Sequence, residues 1–111
     1  MPTDAELKAY AVKLPAIYRD ILAAFPEVEP GRKAGYGLAF QTLAIHFATH
    51  RVGHALGEVE RACRRLADSG FIDIRNEIFA HPTDLGEQLI AAVSGIRAPV
   101  ENLPELPVPT W

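Results

Sequence analysis

Basic side chains gather in the middle of this chain. Residues 31–75 hold seven Lys or Arg against four Asp or Glu, whereas both ends are acidic and the whole carries a formal net charge of -3. A guanidinium offers donors in a planar fork that matches phosphate oxygens and the edge of guanine. An acidic protein can still attract a polyanion where its local field is positive. The middle of the chain is therefore the first place to look for an anion-binding surface.

Three histidines recur every fourth residue, at His46, His50 and His54, and Glu58 continues the spacing. On one unbroken helix their imidazoles would share a face and could bind zinc or copper. Gly53 interrupts the stretch, and glycine inside a helix costs about 1 kcal/mol relative to alanine. We therefore expect a helix break there, with histidines at the surface or in a turn. A metal site on the three histidines is the weaker alternative, and no cofactor is expected.

The sequence offers no set of nucleophile, base and orienting acid. Ser69 and Ser94 are its only serines, and Cys63 is its single cysteine. Cys63 lies at an apolar helical position, which is typical of a buried, inert thiol. The glycine-rich basic segment 31–37 lacks the spacing that a phosphate-binding loop has ahead of its lysine and hydroxyl. We expect no catalytic residues and no enzyme activity.

Length and composition place the chain in a broad class. Its 111 residues suit one domain, and 49% hydrophobic residues allow a core. No segment has the roughly 18 uninterrupted apolar residues of a membrane span. The first residues lack the basic start and apolar run of a secretory signal. These features predict a cytoplasmic protein without a membrane partner.

Two helices are predicted before the basic region. Thr3 and Glu6 form a capping-box pattern at the start of a helix over residues 3–14. Pro15 suits the first turn of a second helix, which Pro26 is expected to end. The two segments could also form one kinked helix. An irregular segment is expected over residues 27–37.

The basic region itself predicts a helix, a turn and a longer helix. Residues 38–40 fit either a short strand or the start of the first of these helices, whose character is clear over residues 41–48. Residues 49–53 are the predicted turn. From residue 55, apolar side chains at steps of three and four predict a helix with a buried seam. Gly70 is the predicted C-terminal cap of this helix. The seam comprises Leu56, Val59, Cys63 and Leu66, joined by Ala62.

A hairpin and a last helix are predicted after Gly70. Residues 71–75 and 78–81 have strand character on either side of a tight turn at Asn76 and Glu77. Thr83 or Asp84 is then expected to cap a helix that ends at Gly95. Residues 99–111 hold four of the nine prolines and are predicted to form an extended tail with apolar side chains.

This order of elements resembles the winged helix-turn-helix superfamily, which includes bacterial regulators of the GntR, MarR and PadR kinds. Three pieces carry the resemblance: residues 42–47 are similar to its second helix, residues 61–72 to the end of a recognition helix entering the wing, and residues 83–89 to the start of the helix after the wing. The resemblance implies an α+β, mainly helical winged-helix domain over residues 1–98. Its core would span residues 15–93, with an extra N-terminal helix at 3–14 and the proline-rich tail at 99–111 outside it.

The resemblance also implies a transcription regulator that binds duplex DNA. In such domains the N-terminal part of the recognition helix meets base edges, while other basic residues meet phosphates. The candidate base contacts are His50, Arg51, His54 and Glu58. The candidate phosphate contacts are Arg32, Lys33, Arg61, Arg64, Arg65 and Arg75, of which Arg75 alone belongs to the short wing.

Regulators of this kind usually pair, so a homodimer is expected through the N-terminal helix or the C-terminal tail. The longer helix also carries Glu58 and Glu60, which repel phosphate and can pair with arginines one turn away. A winged-helix module that contacts another protein instead of DNA therefore remains the alternative.

Overall fold

A computed structural model of the chain describes residues 2–50, 53–94 and 106–111, which form five α-helices and one three-stranded antiparallel sheet. In chain order the elements are α1 (Asp4–Ala11), α2 (Ala16–Val28), β1 (Leu38–Ala39), α3 (Phe40–Thr49), α4 (Leu56–Asp68), β2 (Ile72–Arg75), β3 (Phe79–Pro82) and α5 (Asp84–Ser94). The predicted α+β, mainly helical class is confirmed. Within the described ranges, no helix combines the length and the apolar character needed to cross a membrane.

The first two helices are separate elements. The capping box of α1 is confirmed, because the Thr3 hydroxyl accepts from the Glu6 amide at 3.1 Å and the Glu6 carboxylate accepts from the Thr3 amide at 2.9 Å. The prediction that Pro26 ends the second helix is wrong, since α2 continues through it to Val28. Pro26 removes one backbone donor, but the helix continues for two more residues and Val28 packs against the core.

The sheet has the order β1-β3-β2. Both alternatives for residues 38–40 occur, because Leu38 pairs with Ala80 in the sheet and Phe40 begins α3. The predicted hairpin is confirmed, with Asn76 and Glu77 at positive φ angles of 53° and 63°. Ile78 was expected in the second strand, but it lies in the turn, where its amide donates to the Arg75 carbonyl at 3.3 Å.

The end of α4 and the start of α5 are held together. Gly70 has a positive φ of 83° and follows α4. Its amide donates to the carbonyl of Ala67 and the Phe71 amide donates to that of Leu66, both at 3.0 Å, which is a Schellman motif. The Thr83 hydroxyl accepts from the Gly86 amide at 3.1 Å, so Thr83 caps α5. A Cβ built on Gly86 would lie 1.8 Å from the Phe71 carbonyl oxygen, so only glycine allows this approach.

One hydrophobic core joins the helices and the sheet. The seam of α4 is buried as predicted at Val59, Ala62, Cys63 and Leu66. The prediction for Leu56 is wrong, because 41% of this residue is exposed. Leu56 is the first residue of α4, and its exposure places it at the edge of the packed surface.

The described part of the tail, residues 106–111, returns to its own domain. The Tyr10 hydroxyl donates to the Pro107 carbonyl at 2.5 Å. The Trp111 ring meets the rings of Tyr10 and Phe71 edge-on, with centroids 5.1 and 6.2 Å apart. Leu106 packs against the core. The predicted helix end at Gly95 and the tail residues 99–105 lie outside the described residues.

Candidate nucleic-acid interface

The two helices predicted on either side of residue 50 are present, and residues 51 and 52 of the predicted turn lie outside the described residues. α3 ends at Thr49, its C-cap is His50, and α4 begins at Leu56 and packs against α3. The helix therefore breaks where the sequence predicted. At the start of α4 the Glu58 carboxylate accepts from the Ala55 amide at 3.4 Å, which is the returning half of a capping box. Arg51, a candidate base contact, lies outside the described residues.

The side of α4 opposite its buried seam carries three arginines and three carboxylates. Arg61 and Arg64 are exposed, and the described residues offer neither of them a hydrogen-bond or ion-pair partner. Arg65 is exposed but partly engaged, because its Nη1 donates to the Tyr18 hydroxyl at 3.2 Å. Of the carboxylates, Glu58 and Asp68 lie near the two ends of this face, and the half-buried Glu60 lies at its flank one turn before Arg64. The middle of the face therefore presents guanidinium groups to solvent.

The three spaced histidines do not gather into one set: the His46 and His50 rings lie 4.2 Å apart, but His54 is held elsewhere. His54 turns back to α2, where its Nε2 lies 2.8 Å from an Asp20 carboxylate oxygen. His46 Nε2 lies 3.0 Å from a Glu27 carboxylate oxygen, and His50 Nδ1 donates to the His46 carbonyl at 2.9 Å. Across the described residues, no cluster of three or more His, Cys, Asp or Glu is arranged to hold a metal ion. Only the exposed His50 remains available to a partner beside α4.

Arg32 has an internal role. Its guanidinium donates to both oxygens of Glu87, at 2.9 and 2.5 Å, and its side chain is only 7% exposed. It also lies over the Phe25 ring, 5.4 Å from the centroid. We therefore leave Arg32 out of the candidate interface. Its partner is 55 residues away, and no local pattern in the sequence marks the pair.

The other two phosphate candidates outside α4, Lys33 and Arg75, flank an open groove of about 580 Å³. The segment between α2 and β1 forms one wall and the β2–β3 hairpin forms the other. We call it the loop–hairpin groove; its principal lining residues are Lys33, Tyr36, Gly37, Arg75, Phe79 and His81. Sequence reasoning named its two cations but missed its aromatic rings. The signal available was Tyr36, set between Gly35 and Gly37 beside two basic residues.

Cys63 behaves as the sequence indicated. It is fully buried in the seam of α4. Burial, assisted by the nearby Glu60 charge, raises the pKa of the thiol from 9.0 to about 12. A thiol held in its protonated form is a poor nucleophile and a poor metal ligand.

The two surfaces expected to form a homodimer are largely used within the chain. Leu7, Tyr10 and Ala11 of α1 are buried, and α1 packs against α5 while the tail covers Tyr10. In the described part of the tail, Val108 and Trp111 keep exposed apolar surface, at 81% and 37%. A self-association surface on this side would therefore use the tail rather than the apolar stripe of α1.

Comparisons of the chain with protein-family models, curated proteins and solved structures gave no match.

Proposed function

We propose that this chain is a winged-helix domain that binds duplex DNA through the solvent face of α4, in a regulatory role. The observation that carries the proposal is the pair of exposed arginines without described partners, Arg61 and Arg64, on a helix fixed from behind by its buried seam. The order α2, α3, α4 and hairpin supports the winged-helix assignment, as does the packing of α4 across α3.

The dimensions of α4 suit the major groove. Its 13 residues extend about 20 Å at 1.5 Å per residue, and the groove of B-DNA admits a helix. Near its N-terminus, Gly57 carries no side chain and a Cβ there would meet nothing within 4 Å. A flat first turn lets a helix approach the floor of the groove closely.

Side chains on the face suggest a division of roles. Glu58 can accept from the amino group of cytosine, and the exposed Leu56 can contact the methyl group of thymine. Arg61 and Arg64 follow along the same face and can meet guanine or phosphate. The exposed His50 precedes α4 and can reach the flanking backbone. His54, held by Asp20, acts as a brace between the turn and α2.

Fluorescence anisotropy with labelled duplex DNA of mixed sequence, titrated with salt, tests the proposal. Logarithmic affinity should fall linearly with logarithmic salt concentration, with a slope of about -0.9 for each phosphate neutralised. Arg61→Ala and Arg64→Ala should each reduce that slope by about one. Lys8→Ala on α1 removes the same charge from an exposed site and should leave the slope unchanged.

Two results would refute the proposal. The first is the absence of duplex binding by the unaltered chain at low salt. The second is an equal loss of slope in the Lys8 and Arg61 variants, because binding would then follow net charge and not α4.

We also propose that DNA binding involves a homodimer, because one α4 covers only a few base pairs. The exposed tail side chains Val108 and Trp111 are the surface we assign to it. Sedimentation equilibrium of the full chain and of a Val108→Asp variant tests this. A monomer at all concentrations, with DNA and without it, contradicts it.

The second candidate is a protein-binding winged-helix module. Ile45 on α3 and Leu56 on α4 favour it, because these large apolar side chains are 58% and 41% exposed. An Ile45→Asp variant separates the two functions, since it should leave the slope of the salt titration unchanged and abolish only contacts with a protein partner.

A further inference from the structure

We propose that the loop–hairpin groove binds one unpaired nucleotide, through its phosphate and the face of its base. The proposal goes beyond duplex binding by α4, since it uses none of the α4 side chains and stands if duplex binding fails. It rests on three features of the groove: fixed walls, a cation on each wall, and accessible aromatic rings.

The first feature is the rigidity of the loop wall. Glu87 accepts from the Arg32 guanidinium and also from the Gly35 amide, at 2.6 Å. Arg32 Nη1 in turn lies 3.3 Å from the Lys33 carbonyl and 3.4 Å from that of Tyr36. One buried ion pair therefore holds the backbone on both sides of Tyr36. A wall ordered before binding reduces the entropy lost when a ligand enters.

The second wall is fastened to the first. His81 Nδ1 lies 3.1 Å from the Gly35 carbonyl oxygen. A Cβ on Gly37 would come within 2.5 Å of the His81 ring, so the loop and β3 touch at this point. Because a carbonyl only accepts, Nδ1 carries the proton in this contact. No described residue bonds to His81 Nε2, which leaves it available to the edge of a base.

The charges of the groove favour a phosphate. Lys33 lies on the loop wall and Arg75 on the hairpin wall; both are exposed, and neither has an ion-pair partner among the described residues. The described lining of the groove contains no carboxylate; the nearest acid in the hairpin register is Asp73, opposite His81. Two opposed cations with no anion between them attract a phosphate group. The rest of the groove is then available to the group that is esterified to this phosphate.

The aromatic rings define that group. Tyr36 is 50% exposed. The ring centroids of Phe79 and His81 lie 6.4 Å apart, and the angle between the two ring planes is 58°. Flat faces beside cations are the arrangement on which unpaired bases stack. The groove volume of about 580 Å³ lies within the range of roughly 300–1,000 Å³ for small-ligand clefts. Paired bases in a duplex are already stacked, so the ligand is a nucleotide outside a helix.

An unpaired strand and a free mononucleotide share this chemistry, and the experiment distinguishes them. The full chain is titrated against a short fluorescein-labelled deoxythymidine oligonucleotide, and anisotropy is recorded. Unlabelled deoxythymidine monophosphate and inorganic phosphate serve as competitors. Displacement by the monophosphate near the oligonucleotide's own concentration indicates a free nucleotide as the ligand. Displacement only at a large excess indicates a strand.

Variants assign the binding to the groove. Tyr36→Ala should weaken oligonucleotide binding by about tenfold, the scale of one stacked base, and Tyr36→Phe should restore it. Lys33→Ala and Arg75→Ala should each lower the salt dependence of binding. All three residues are exposed, so the folded state should survive, which circular dichroism verifies. Lys8→Ala is the matched control, because it removes one positive charge from an exposed site on α1 outside both proposed surfaces, and it should leave oligonucleotide binding unchanged.

Three results overturn the proposal: no binding of either nucleotide form, displacement by inorganic phosphate as readily as by the monophosphate, or an unchanged affinity in Tyr36→Ala. The outcome also separates this proposal from the previous one. Loss of single-strand binding in Arg61→Ala but not in Tyr36→Ala would assign both activities to α4. If oligonucleotide binding depends on Tyr36 and no duplex binding is found, the groove proposal stands and the α4 proposal fails.

Discussion

The ion pair between Arg32 and Glu87 should be among the most important polar contacts in this domain. The Arg32 side chain is 7% exposed and that of Glu87 is 21% exposed. The Glu87 carboxylate receives three hydrogen bonds, two from Arg32 and one from the Gly35 amide. The change Glu87→Ala removes all three and leaves the more deeply buried partner, the guanidinium, without a counter-charge.

The expected loss of stability follows from that burial. Exposed ion pairs contribute about 0.2–1 kcal/mol, whereas removing one partner of a buried pair costs about 3–5 kcal/mol. Because Glu87 keeps some contact with water, we expect a loss of about 3 kcal/mol, at the lower end of the buried range. A chain of 111 residues has an unfolding entropy of about 0.23 kcal/mol/K. The melting temperature should therefore fall by about 13 °C.

Urea denaturation followed by far-ultraviolet circular dichroism measures the change in unfolding free energy. Glu29→Ala is the control, because this glutamate is exposed near the same loop and its loss should stay within about 0.5 kcal/mol. The double variant Arg32→Met, Glu87→Leu should lose less than the sum of the two single changes, because neither charge is left unpaired. A cost below about 1 kcal/mol for Glu87→Ala, or strict additivity, would refute the reasoning.

Three further predictions concern single residues. Gly86→Ala should cost several kcal/mol of unfolding free energy or prevent folding, because its Cβ would overlap the Phe71 carbonyl. Gly57→Ala in α4 meets open space and should raise the unfolding free energy by about 0.5 kcal/mol. Urea denaturation measures both changes. Glu77→Gly should raise the unfolding free energy by about 1 kcal/mol, because Glu77 has a φ of 63°. Cys63 should resist Ellman's reagent at pH 8 until the chain unfolds. The pKa of this thiol is about 12 in the folded state and 9.0 for the free thiol, so the folded state binds the proton more tightly. The contribution of Cys63 to the unfolding free energy is therefore complete below pH 9.0 and is lost between pH 9.0 and about 12.

Local signals in the sequence predicted most of the element order. The capping box at Thr3, the glycine cap after α4 and the threonine cap of α5 depend on residues within a few positions of one another, and all three are present. Pro26 was misjudged because proline disfavours a helix locally, whereas the packing of Val28 was decided by the rest of the core. Leu56 fitted the period of the seam, but its burial depends on what lies opposite the first turn of α4.

The candidate site was less predictable than the fold, because its geometry depends on long-range contacts. Charge and spacing identified Lys33 and Arg75, but nothing local placed them on opposite walls of one groove. The same reasoning assigned Arg32 to phosphate, although it is committed to Glu87. His54 was assigned to bases for its spacing, although it pairs with Asp20. Each of these outcomes was decided by a partner at least 34 residues away, which no helical or strand period reveals.

These internal pairs also bear on how a chain of net charge -3 could bind a polyanion. Glu87, Glu27 and Asp20 are acids that each contact a basic or imidazole side chain within the domain. The Glu87 charge is offset by that of Arg32, whereas Glu27 and Asp20 each contact an imidazole. Arg61, Arg64, Lys33 and Arg75 have no such described partner. The net charge of the chain therefore does not describe the local field in the loop–hairpin groove, whose described lining holds Lys33 and Arg75 and no carboxylate. Since fields are screened beyond about 10 Å at 0.1 M salt, the partners near each cation should govern nucleic-acid binding more than the total for the chain.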